Sequence, residues 1–493
     1  MLKRQQLRQE AFNVRAFLIS LAAIAIVTIV FVFLLPDDID DYGLLSLIPA
    51  LFLIGYIFFT KRILEALTLA ALLCFAMADK SAFLSGFSSA LLDVMMSEDM
   101  AWLIIVCGLM GSIIVLIEKS GASAAFGRWI SKKAKTRTGT LAWTWILGIV
   151  MFIDDYLSAL TVASCMREST DDKKVSREML AFLVDSTAAP VCMIIPISTW
   201  GIFVAKLLEI NNVSAEGEGM SFFIKTIPFN FYAWFALLIP LLVVLGKFPL
   251  LGKMKRAEER VLNGGPVAPP KSEKIDIQAD ADAAKGATPR IINFIIPIAI
   301  LILVTLLTDL DIQLGVLVTL ASMFVLYIGQ HIMTAEEFAD YIVEGLKNMV
   351  MPLLLMVLAF LFSYGADKIN FTENMIDAVA PLLSPLWLPV VVFLVLTATE
   401  FIMGTNWGMY IIALPIVVPL AQEVGANTVL SVAAVLAAGV FGSHICFYSD
   451  ATVLSSAASG CENFEHATSQ LPYGPVAVVL SAIAFIVSAL VLS

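Results

Sequence analysis

Met151-Phe152-Ile153-Asp154-Asp155-Tyr156 sets two adjacent carboxylates in the middle of an apolar stretch. An ionised Asp at mid-bilayer depth costs about 2.5–3.5 kcal/mol even on the lenient insertion scale. Two in a row persist only where something cationic, watery or mobile compensates them. Neighbours on a regular helix point about 100° apart, so both carboxylates face one cavity only at a non-helical tip. The competing reading is a surface loop rather than a segment at membrane depth.

Around this motif the chain is 60% hydrophobic and 14% charged, with a mean hydropathy of +0.91. A soluble protein carries nearer a quarter charged residues. Apolar runs long enough to span a bilayer fall near 16–35, 43–60, 63–79, 101–117, 179–209, 226–247, 291–308, 312–330, 349–366, 428–458 and 472–492. The pattern predicts an all-α polytopic membrane protein of about 11 transmembrane helices. The net charge of −11 does not signal nucleic acid, because the acids are dispersed and several lie inside apolar segments. The six cysteines lack metal-site spacing and read as small packing residues. The first apolar run follows Lys3, Arg4, Arg8 and Arg15 and reads as a start-transfer helix rather than a cleaved signal.

Two further apolar stretches, 139–165 and 386–421, read as re-entrant hairpins. The first has basic flanks on both sides, Ser131 to Arg137 and Arg167 to Arg177. A single crossing would throw one flank outside and invert everything after it, against the positive-inside rule. A hairpin keeps both inside and holds Asp154 and Asp155 near mid-membrane, where non-helical backbone is buried in protein or lines water. With a cytoplasmic N-terminus, only Lys80, Lys206, Lys225 and Lys368 fall outside. One clear break, Pro249 to Pro289, contains Asn263-Gly264-Gly265-Pro266 and Ala268-Pro269-Pro270 and reads as a flexible cytoplasmic linker.

The break divides the chain into an extra N-terminal helix (1–42), a first repeat (43–247), the linker (248–290) and a second repeat (291–493). Each repeat has an amphipathic stretch before a span, Ala82 to Met95 and Glu337 to Met349. A hairpin with a polar centre follows, and then an interrupted span at Asp185 to Pro190 or Ser449 to Thr452. Counting crossings, the first series starts outside and the second inside. Inverted repeats of this kind bring hairpins and broken helices together at the midplane, where secondary transporters bind substrate and ions.

In Asp185-Ser186-Thr187-Ala188-Ala189-Pro190, followed by Pro196 and Ser198-Thr199-Trp200, the prolines remove backbone donors and free carbonyls. Carbonyls, a carboxylate and hydroxyls form a hard-oxygen set suited to Na+; a kinked packing helix with back-bonded hydroxyls is the alternative. Thr405, Asn406 and Trp407 are uncharged, and either coordinate a cation, bind an organic solute or satisfy the hairpin tip. Glu400 is either a proton carrier or a residue of the bilayer interface. His444 either titrates near neutral pH or packs by hydrogen bonding. Asp450 is the repeat counterpart of the Asp185 region. His331 and His466 fall in loops and are expected to be incidental. No phosphate loop, zinc spacing or nucleophile–base relay appears, so neither an enzyme nor a cofactor is expected.

At Phe152 to Arg167 and Val184 to Trp200, with support from Asn406-Trp407-Gly408 and Ser449 to Thr452, the chain resembles the NhaC-type sodium/proton antiporter family of the ion transporter superfamily. The likeness covers 43–492. It implies a homodimer with a fixed scaffold and a moving transport domain, and makes Asp154, Asp155, Asp185 and Asp450 the matching acidic positions, here the expected Na+ ligands.

The expected function is Na+/H+ antiport across a bacterial inner membrane, Na+ and protons competing for buried carboxylates. Ion or substrate binding is expected at Asp154, Asp155, Asp185, Ser186, Thr187, Thr405, Asn406, Trp407, Ser449 and Asp450. The expected proton carriers are Asp154, Asp155, Asp185, Glu400 and His444. A second reading is Na+-coupled symport or exchange of an amino acid or carboxylate, received by Thr405, Asn406, Ser198, Thr199 and Trp200. A third, a membrane sensor or scaffold, gains nothing from costly polar breaks at the midplane.

Overall fold

The computed structural model describes residues 42–60, 62–122, 125, 129, 135–270, 272, 290–308, 311–404, 407–447 and 449–492. The expected span 16–35 and the site candidates Thr405 and Asn406 lie outside the described residues. Among those described, all regular structure is helical. The first half contains α1 (Ile48–Thr60), α2 (Ile63–Ala78), α3 (Phe83–Met96), α4 (Glu98–Lys119), α5 (Arg137–Val150), α6 (Asp155–Asp172), α7 (Arg177–Ser186), α8 (Ala189–Cys192), α9 (Thr199–Ile210), α10 (Gly219–Thr226) and α11 (Phe231–Val244). A helix of the linker follows, α12 (Gly252–Leu262). The second half contains α13 (Ile292–Leu307), α14 (Ile312–Gly329), α15 (Ala335–Asn348), α16 (Val350–Asp367), α17 (Phe371–Val379), α18 (Leu388–Met403), α19 (Trp407–Glu423), α20 (Thr428–Ile445), α21 (Asp450–Ala458), α22 (Asn463–Gln470) and α23 (Tyr473–Leu492).

Four of the described helices are long and apolar enough to cross a bilayer, or six if two bent pairs each count as one span. The remaining expected spans are shorter, such as α1 with 13 residues and α2 with 16, or are divided by breaks. Both expected hairpins are helix–break–helix units. The first is α5, a turn at Met151–Asp154, and α6; the second is α18, Gly404 in the left-handed region (φ 58°), and α19. Each is followed by an interrupted helix, α7–α8–α9 in the first half and α20–α21 in the second. The path from α10 to α11 bends by 51° through a turn at Ile227–Phe229.

The linker is not flexible throughout. Residues 263–270 hold its densest Gly and Pro cluster, whereas 253–262 is built mostly of strong helix formers. There α12 buries Met254, Ala257 and Val261 on one face, at helical spacing, together with Glu258.

The described residues form two units, one up to Ser97 with Leu354–Pro381, the other from Glu98 to Leu353 and from Leu382 onward. In the first, Lys368 pairs with Asp79 (2.8 Å) and lies over the Phe75 and Tyr364 rings. The second holds every described site candidate. Within it α4 crosses α15 backbone to backbone: Ser112 Oγ donates to the Ile342 carbonyl (2.9 Å), and a Cβ on Gly345 would collide with the Ser112 backbone. Gly345→Ala is therefore expected to cost about 1–3 kcal/mol through overpacking. Gly329→Ala, at a position with open space around it, should cost nothing; thermal unfolding of the two variants in detergent makes the comparison.

Candidate ion-binding site

The break between α5 and α6 is organised by Asp154. Its backbone is extended (φ −154°, ψ 141°) and it is the N-cap of α6: Tyr156 and Leu157 N–H donate to its Oδ1 at 3.0 and 3.1 Å. Its other oxygen, Oδ2, accepts from the hydroxyl of Thr199, the first residue of α9 (3.1 Å). Ser198 caps α9 in the same way, accepting from Gly201 N–H at 2.9 Å. One carboxylate thus joins two helix N-termini, each carrying roughly half a positive charge. The unwound backbones are tied as well: Thr199 N–H donates to the Ile153 carbonyl (2.9 Å), and Cys192 Sγ to the Phe152 carbonyl (3.3 Å).

Asp155 begins the helix itself. Both carboxylates are buried, at 4% and 3% exposure, but among the described residues Asp155 accepts one side-chain hydrogen bond, from Trp200 Nε1 (3.2 Å). Aromatic rings close around that indole. Trp407 lies 5.1 Å from Trp200 between centroids and 4.5 Å, edge to face, from Phe203, while Tyr410 stands 6.2 Å from Trp200. On the other side, the next residue, Tyr156, donates its hydroxyl to Asp450 Oδ2 (3.1 Å). Asp450 is exposed, contrary to the expectation of a buried acid. It opens α21. Ser449 caps that helix, accepting from Thr452 N–H (3.2 Å) and donating to the Ser443 carbonyl (2.6 Å).

Asp185 belongs to a different group. It is fully buried, and its Oδ2 meets His466 Nε2 (3.1 Å) and Gln470 Nε2 (2.8 Å), whereas its Oδ1 has no partner. His466 is therefore no incidental loop residue. It lies on α22 with Gln470 four positions later, so both reach inward from one helix face. The next residue after Asp185, Ser186, shares a hydrogen bond with His444 Nε2 (2.9 Å), and His444 Nδ1 shares another with the Tyr232 hydroxyl (2.9 Å). Gln470 also donates to the His444 carbonyl (2.6 Å).

The remaining candidates divide. Thr187 donates back to the Leu183 carbonyl (2.8 Å), the local bonding of a packing hydroxyl. Glu400 is fully buried against Gly442 of α20. His331 sits in an exposed turn, as expected. Among the described residues, no group of three or more His, Cys, Asp or Glu is placed to hold one metal ion. The four aspartates expected as Na+ ligands are thus not gathered into one group among the described residues.

The sequence signature of the Na+/H+ antiporter family matches residues 210–490, more than half of the chain. The chain belongs to the Na+/H+ antiporter family. The matched part of this antiporter-family chain holds Trp407, His444, Asp450, His466 and Gln470, and the Asp154–Asp155 break precedes it. An uncharacterized protein of Haemophilus influenzae is 26% identical over 481 residues, 90% of each chain. In fold, the chain is similar to MtrF of Neisseria gonorrhoeae, described as illuminating a class of antimetabolite efflux pumps. That likeness has a TM-score of 0.50 at 13% identity and covers 84% of this chain and 85% of the other. The family places the protein among secondary transporters.

Removing the imidazole from the Asp185 group leaves a buried carboxylate short of a donor, which costs about 1–3 kcal/mol. His466→Ala is expected to lower the unfolding temperature in detergent, and His466→Gln, which keeps a donor, to recover most of the loss.

Proposed function

We propose that the protein is an NhaC-type Na+/H+ antiporter of a bacterial inner membrane and that Asp155 is its principal exchange carboxylate. The observation that carries this reading is the unequal commitment of the two adjacent acids. Both oxygens of Asp154 are held by donors at two helix beginnings, so its charge is locally stabilised. Asp155 keeps a single side-chain donor and faces the Tyr156–Asp450 edge of the site. An ionised Asp155 attracts Na+, and a proton cancels the charge that holds it. Either cation neutralises the site and makes it cheaper to move through a low-dielectric interior. Competition at one carboxylate then gives exchange without a separate coupling device. A cytoplasmic N-terminus, the inverted pairing of the two halves and a homodimer complete this reading, as the distribution of basic residues and the family resemblance imply.

A second reading draws on the aromatic group. Trp200, Trp407 and Tyr410 beside a carboxylate form the chemistry that receives an ammonium group, which favours an amino acid as a Na+-coupled solute. Purified protein in liposomes with an internal pH dye separates the two. A Na+ gradient alone moves protons on the first reading; on the second, uptake needs the solute.

Asp155→Asn is expected to reduce Na+-linked proton movement to the level of empty liposomes, and normal exchange in this variant would sink the assignment. Asp154→Asn keeps a competent cap and should fold normally, whereas Asp154→Ala should lose about 0.5–2 kcal/mol of stability, measured by thermal unfolding.

A further inference from the structure

Residues 251–270 and Ser272, between the two halves, lie across the ends of several site-bearing elements. Glu258 of α12 is 1% exposed and accepts from both Ser176 N–H (3.0 Å) and Ser176 Oγ (2.7 Å), at the cap of α7. The same carboxylate pairs with Arg137, the first residue of α5. Two positions on, Arg260 grips the buried Glu178 of α7 through both oxygens (2.8 and 2.9 Å) and donates to the Pro266 and Val267 carbonyls. Arg177 N–H donates to the Val267 carbonyl (3.1 Å). Further along, Lys253 meets Glu465 of α22 (3.2 Å), and Ser272 Oγ accepts from Glu462 N–H (3.0 Å).

Each of these contacts sits at the start of a helix that leads to the site. From Ser176, about 14 Å of α7 leads to Asp185. From Arg137, α5 leads to the Asp154–Asp155 break, and from Glu462, α22 leads to His466 and Gln470. We propose that this segment is a strap and Glu258 its positioning residue, holding α5 and α7 together so that the Asp154–Asp155 break and the Asp185 group move as one body. The strap rests on the antiport reading only for its effect on turnover. The buried carboxylate is suited to this work because neither of its partners can leave without stranding a charge or a donor away from water.

The test is amide hydrogen exchange on the full chain in detergent, alongside proton movement in liposomes. Glu258→Ala should accelerate exchange in 137–150 and 177–186 together. It should also lower turnover about ten-fold or more, while the half-saturating Na+ concentration stays within about two-fold. Glu258→Gln, which keeps the acceptor for Ser176 but drops the charge facing Arg137, should restore protection to α7 and not to α5. Acceleration confined to 252–262, or unchanged turnover, overturns the proposal. If Glu258→Ala does not fold, Arg137→Gln and Glu178→Gln cut the two sides separately, and the strap fails if neither loosens its own helix. Absence of Na+-driven proton movement in the unaltered protein would refute the antiport reading, while the amide exchange would still decide the strap.

Discussion

A single carboxylate bridging two helix beginnings is the constraint on which the site depends. Without Asp154, the N–H groups that open α6 and the hydroxyl that opens α9 would face one another as unpaired donors in a buried, poorly solvated place. With it, two like-signed helix ends converge instead of repelling. That convergence sets the rest. It brings Trp200, one position into α9, against Asp155, and it sets Thr199 N–H against the Ile153 carbonyl and Cys192 Sγ against the Phe152 carbonyl. The break that looks costly in sequence is a junction in which each chain satisfies the other.

The acids near that junction are unlike one another, and the difference is environmental. Asp154 is pinned from both sides, Asp155 is lightly held beside aromatic rings, Asp450 is open to the surroundings, and Asp185 sits in a closed group of imidazole and amide. Four carboxylates in one family motif set therefore do not amount to one coordination shell. They divide into a capping carboxylate, a lightly held one, an exposed one and a deep hydrogen-bonded one.

The position of the breaks was legible in the chain because paired carboxylates, prolines and glycines interrupt apolar runs that are otherwise unbroken. The amphipathic stretches were legible for the same periodic reason and became α3 and α15. The division of labour between Asp154 and Asp155 was not, since it turns on one residue's extended backbone, which no composition records. The role of His466 is hidden in the sequence because 463–470 is a short, polar helix. The signal present was a His and a Gln four apart, pointing the same way from a helix too brief to show in hydropathy. The linker misled in the opposite sense: its glycines and prolines drew attention from the helix formers just before them.

The Asp185 group has a further consequence for how the protein is made. His466 follows Asp185 by 281 residues and Gln470 follows it by 285. At about 5–20 residues per second, roughly 14–56 s separate their emergence from the ribosome. Throughout that interval Asp185, buried in the finished protein, has neither partner. Biogenesis therefore cannot finish half by half, and a nascent chain halted before α22 carries an internal polar fault that marks it as incomplete.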